Sequence, residues 1–111
     1  MNEMSANASQ RQGSERNEGM QEVTASALLT NKIGLHARPS VKLTQTAKRF
    51  GSRIEVATSA AGPWTDAKSP VKIMRVKAAQ GEVLHFKASG EDASAALAAL
   101  VDIVARKFDE E

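Results

Sequence analysis

The most regular hydrophobic pattern lies near the end of the chain. In GEDASAALAALVDIVARKF the positions Ala93, Ala96, Leu97, Leu100, Val101, Val104 and Phe108 recur at the helical period. Glu91 and Asp92 precede this stretch at the positive end of the helix dipole, and Arg106 and Lys107 follow at the negative end. A second helical stretch runs from Ala37 to Phe50. Val41, Leu43, Ala47 and Phe50 can share an apolar face there, while Lys42, Gln45, Lys48 and Arg49 fill the wet one. Pro39 is tolerated in its first turn, where an N–H has no partner to lose, and Gly51 is a natural stop. Ser69 followed by Pro70 marks the start of a third, short helix ending near Val76.

Between the helices the period falls to two. SRIEVAT alternates Ile54 and Val56 against Arg53 and Glu55, and EVLHFKA alternates Leu84, Phe86 and Ala88 against Val83, His85 and Lys87. Val23–Thr30 reads as a further strand. Trp64–Ala67 reads as a short one, paired as a hairpin across the turn SAAGP. The predicted order is β-α-β-β-α-β-α. Strands with one apolar face call for an antiparallel sheet covered on one side only, an open-faced two-layer α+β sandwich.

Composition narrows this picture. The first 21 residues are rich in Ser, Asn, Gln and Glu and carry no hydrophobic period, so residues 1–21 are expected to be a disordered extension and 22–111 the folded domain. Of the 111 residues 41% are hydrophobic and only 4% aromatic, which leaves an aliphatic and alanine core. With no cysteine the chain has neither disulfides nor thiolate chemistry. A net charge of +2 is too weak to argue for nucleic acid. The lack of an apolar run of about 20 residues argues against membrane insertion, and the first residues lack a signal-peptide core. The expectation is a soluble, cytoplasmic, monomeric protein with no cofactor or metal.

One stretch carries chemistry. In NKIGLHARPSVKL, His36 sits where a loop becomes a helix, beside Arg38 and Pro39. A helix start presents unpaired N–H groups and a positive dipole end, which favour phosphate. Ala37, Arg38 and Ser40 have N–H groups to offer, and the guanidinium of Arg38 suits phosphate oxygens. A neutral imidazole can attack a phosphoryl group. The plainer reading is a surface histidine at a helix start. His85, in mid-strand without an acid or ligand partner, reads as structural, Trp64 as a packing residue, and the terminal DEE as a solvated end.

GLHARPS resembles the phosphorylation-site motif of the HPr family, the histidine-containing phosphocarriers of the phosphoenolpyruvate-dependent phosphotransferase system. AKSPVKIMRVKAAQG and SGEDASAALAALVDIV follow in that family's order, so the resemblance covers Glu22 to Phe108. It implies four antiparallel strands with three helices on one face. It implies that His36 accepts a phosphoryl group on its δ nitrogen from phospho-enzyme I and passes it to an enzyme IIA domain. Arg38 would steady that group, with the backbone of Ala37 and Arg38 cradling it. Such a protein is a carrier with a phosphohistidine intermediate rather than a stand-alone enzyme.

Ser69 aligns with the serine that an HPr kinase/phosphorylase modifies in some lineages. The family usually has a large aliphatic residue where this chain has Pro70, and Ser69 with Pro70 is already a complete helix cap. Ile33 stands where a small polar residue is frequent and Lys77 where glycine is common. Leu35, Lys48, Val71 and Met74 are the expected partner surface, with Val71 and Met74 alternatively core and Lys48 alternatively a solvated charge. The motif serves both sugar uptake and regulatory branches that transport nothing. A non-phosphorylated regulator or an RNA-binding sheet are the readings from other classes. The second needs aromatics on the open face, where the strands present Arg53, Glu55, Val83, His85 and Lys87.

Overall fold

The structure, a computed structural model, describes residues 22–110. The expected extension over residues 1–21 lies outside the described residues. The elements run β1 (Glu22–Leu28), α1 (Ala37–Ala47), β2 (Arg53–Ala57), β3 (Thr65–Asp66), α2 (Pro70–Val76), β4 (Val83–Ser89) and α3 (Ala93–Ala105), followed by a 3-10 turn at Lys107–Asp109. The four strands form one antiparallel sheet in the order β1-β4-β2-β3. This is the predicted open-faced α+β sandwich with three helices.

Register explains the burial. Ala25, Phe86 and Val56 face one another across β1, β4 and β2, and so do Val23, Ala88 and Ile54. Those rows meet Leu43 and Ala47 from α1, Ile73 from α2, and Ala96, Leu97, Leu100, Ile103 and Val104 from α3 in one core cluster. A side-chain period of two leaves the alternate residues on the open face. There the Lys87 ammonium lies 4.5 Å from the centre of the Trp64 ring, so the one tryptophan is covered by a cation. Among the described residues no helix is long and apolar enough to cross a membrane.

The differences from expectation fall at element ends. β1 stops at Leu28 because Leu29 turns inward, fully buried, and exchanges backbone hydrogen bonds with Gly81 and Glu82 at 2.8 Å each. β3 is two residues rather than Trp64–Ala67. α1 ends at Ala47, with Lys48 as its C-cap. Its inner face is Pro39, Ser40, Leu43, Thr44, Thr46 and Ala47, while Val41 is 39% exposed and leaves the core face assigned to it. α3 ends at Ala105, before Phe108. Lys107, Phe108 and Asp109 take positive φ values of 55–58°, and this left-handed turn swings the Phe108 ring back into the core at 0% exposure.

Asp92 does not cap its own helix with its side chain. Its carboxylate accepts the N–H groups of Gly51 and Ser52, each at 2.9 Å, and the Ser52 hydroxyl. It thereby ties the α1–β2 turn to the start of α3. These bonds, that from the Ser52 side chain foremost, hold the Asp92 carboxyl below its ordinary value.

Candidate functional site

The site is built on the loop between β1 and α1. Asn31, 1% exposed, closes a turn from both ends: its carbonyl accepts the Gly34 N–H at 3.3 Å and its Nδ2 donates to the Gly34 carbonyl at 2.9 Å. Gly34 has φ +67°, and a Cβ there would sit 2.4 Å from the Ala78 carbonyl oxygen. Only glycine tolerates both demands. The Leu35 N–H then donates to that same Ala78 oxygen at 3.0 Å, which pins the loop against the segment following α2.

His36 comes next, as the N-cap of α1. Its backbone is extended (φ −79°, ψ −171°), and its exposed ring makes no capping hydrogen bond. The His36 carbonyl accepts the Ser40 N–H at 2.9 Å. That removes Ser40 from the donors this helix start could offer an anion: its N–H is consumed inside the helix and Pro39 has none, which leaves the N–H groups of Ala37 and Arg38 in the first turn. The ring faces a depression of about 530 Å³ between the loop and the end of α2, with Ala37 on one side and Met74, Lys77 and Ala79 on the other. Lys77 is the left-handed C-cap of α2 with φ 55°, a conformation in which the glycine common in the family would be unstrained.

The Arg38 side chain is 79% exposed and reaches the C-terminal end of the chain, with Nη2 3.3 Å from Oε1 of Glu110. Lys42 Nζ lies 2.6 Å from Oε2 of the same carboxylate and donates to the Phe108 carbonyl at 2.9 Å. The Lys42 hydrogen bond first, and then the Arg38 charge, hold the Glu110 carboxyl below its ordinary value. The expected solvated DEE end is thus overturned at Glu110. The Arg38 bond joins residues 72 apart, and no local spacing announces it. A lysine on the wet face of a helix and an acidic terminus are each unremarkable alone.

The remaining candidates divide. Leu35 is 2% exposed and belongs to the core, so it offers no partner surface. Val71 is 53% exposed and Met74 37%, so neither is core, and Lys48 is also exposed. Ile33, at 53%, and Val41 are exposed apolar residues that the expected surface omitted. Ser69 caps α2, its hydroxyl accepting the Lys72 N–H at 3.3 Å. His85 stands on the open face of β4, opposite Ser26 and Ala57 and away from the helix layer.

Comparison with known proteins gives this geometry a family. A family model described as "PTS HPr component phosphorylation site" matches residues 23–106. The phosphocarrier protein HPr of Xylella fastidiosa strain 9a5c is 38% identical over 84 residues, which cover 76% of this chain and 92% of that protein. The multiphosphoryl transfer protein of Salmonella typhimurium is 36% identical over 89 residues, 79% of this chain and 24% of that longer protein. The crystal structure of HPr-C-His from Thermoanaerobacter tengcongensis superposes with a TM-score of 0.70 at 42% identity, covering 83% of this chain and 99% of that one. The family-model match over residues 23–106, the 38% identity to a phosphocarrier protein HPr and the shared fold place this chain in the HPr phosphocarrier family.

Proposed function

We propose that His36 is the phosphoacceptor of a phosphoenolpyruvate-dependent relay, taking a phosphoryl group from phospho-enzyme I and giving it to an enzyme IIA domain. The observation that carries this reading is the placement of an exposed imidazole, engaged in no capping bond, directly before the first-turn N–H groups of Ala37 and Arg38. The ring's δ nitrogen attacks phosphorus as the P–N bond to the donor histidine breaks, and the donor nitrogen keeps the released electron pair. One P–N bond is exchanged for another, so the step is readily reversible. Phosphoryl transfer depends mainly on positioning and on meeting the charge of the equatorial oxygens. The two backbone donors, the dipole of α1 and the Arg38 guanidinium meet that charge.

Each partner supplies the rest of a transfer site. The exposed apolar residues Val71 and Met74 with Lys48 form the docking surface, and Ile33 and Val41 extend it. On this reading the protein works in the cytoplasm, in either a sugar-uptake or a regulatory branch, since both use the same step. At Ser69 a phosphate from an HPr kinase/phosphorylase would meet the start of α2 and replace the present capping bond to Lys72.

The test is to incubate the protein with phosphoenolpyruvate, magnesium and enzyme I and to compare its intact mass with that of His36→Ala. One acid-labile phosphoryl group, absent from the variant, is the expected result. No gain in mass, with an enzyme I shown to label another carrier, would refute the relay and leave a pure binding module.

A further inference from the structure

Two buried side chains flank the site and touch no reacting atom. Asn31 Nδ2 donates to the Gly34 carbonyl at 2.9 Å, and Ser40 Oγ donates to the Leu35 carbonyl at 3.2 Å. Asn31 is 1% exposed and Ser40 0%. These are the last two carbonyls before His36. The N–H of the Gly34–Leu35 peptide is also held, by the Ala78 carbonyl at 3.0 Å. Both peptide planes leading into His36 are therefore fixed by hydrogen bonds: the first at its carbonyl and its N–H, the second at its carbonyl.

We propose that Asn31 and Ser40 are positioning residues for the His36 ring, a proposal that rests on the reading of His36 as phosphoacceptor. A carbonyl oxygen is the negative end of a strong dipole. Turned outward beside the ring it would repel an arriving phosphoryl group, which carries negative charge on three oxygens. Held inward by buried donors, the Gly34 and Leu35 carbonyls leave that group facing the N–H groups of Ala37 and Arg38. The pair also sets where the imidazole stands relative to the helix start, because His36 follows directly from the fixed planes.

The cost of Asn31 supports a role beyond packing. Its Oδ1 is buried with no hydrogen-bond partner. A buried amide with an orphaned oxygen is unfavourable relative to an apolar side chain of the same shape. What such a replacement would lose is the bond to the Gly34 carbonyl. Ser40 makes the matching bond from another element, α1, so the two carbonyls are pinned independently.

The experiment compares the full chain with Asn31→Ala and Ser40→Ala, measuring kcat and KM for phosphoryl acceptance from phospho-enzyme I alongside thermal unfolding. A misplacement of a fraction of an ångström in the acceptor lowers kcat by about tenfold, and because the docking surface is untouched KM stays within about twofold. Folded alanine variants with unchanged kcat would overturn the proposal, as would a change confined to KM. Unfolding of both variants at the assay temperature would assign the two residues to stability alone and overturn it too. A wild-type chain that takes up no phosphoryl group would instead refute the relay itself, and this inference would fall with it.

Discussion

Arg38 Nη2 lies 3.3 Å from Oε1 of Glu110, a residue 72 positions later in the chain. The carboxylate thus holds the cation that the proposed relay needs for a phosphoryl group. Once His36 carries a dianion, phosphoryl oxygens and Glu110 compete for one guanidinium fork. Removing the competitor in Glu110→Gln is expected to shift the equilibrium toward the phosphorylated form by up to about fivefold, the scale of an exposed ion pair. Quantifying phosphorylated and free protein by intact mass at fixed enzyme I and phosphoenolpyruvate checks this. Equal fractions in the two proteins would mean that Arg38 leaves Glu110 without cost. The effect should shrink in high salt.

Acid stability has two identified contributors. The Asp92 and Glu110 carboxyls are both held below their ordinary values, 3.8 and 4.5, by hydrogen bonds from Ser52 and Lys42 respectively. A depressed carboxyl contributes stability that is fully present above its unfolded-chain value and is lost as the pH falls through the folded one. Urea unfolding should therefore show stability level near neutrality and declining below about pH 4.5. Asp92→Asn should flatten the lower part of that decline. An acid limb of unchanged steepness in the variant would remove Asp92 as a cause.

Gly34→Ala should damage both fold and site. Its φ of +67° disfavours any side chain, and the added Cβ would stand 2.4 Å from the Ala78 oxygen, a rigid backbone atom. A cost of roughly 1–3 kcal/mol is expected, more if the loop cannot shift. Because that loop leads into His36, phosphoryl acceptance should fall as well. Thermal unfolding and the mass assay read the two effects separately.

Phe108→Ala tests the left-handed turn after α3. The ring is fully buried, and its removal should cost about 3–5 kcal/mol. Denaturant unfolding measures this. A loss below about 1 kcal/mol would mean that the ring is not a core residue.

The proposed docking surface is tested at Val71 and Met74, which are exposed and lie outside the core cluster. Val71→Glu and Met74→Glu should leave stability within about 0.5 kcal/mol of wild type. Each should weaken binding to enzyme I by about tenfold if these side chains anchor the partner. Titration calorimetry with unphosphorylated enzyme I distinguishes this from a surface that plays no part.

The sequence by itself determined the elements and the family resemblance. Period-two stretches around Ile54 and Phe86, the helical period from Ala93 to Val104, and the Ser69-Pro70 start signal are local patterns, and the strands and helices formed where those patterns lay. His36 and Arg38 were legible as the proposed site because motif and helix start coincide within a few residues. Tertiary structure decided what depends on partners distant along the chain. Val41 lies at helical spacing yet outside the core, because which face of α1 meets the sheet is set by docking. Leu35 is core because the Ala78 carbonyl draws its backbone inward. Glu110 joins Arg38 and Lys42 because a left-handed turn at Lys107–Asp109 redirects the chain to bury Phe108. Local periodicity fixes the direction of a side chain relative to its own element. Only the packing of elements against one another fixes what that direction meets.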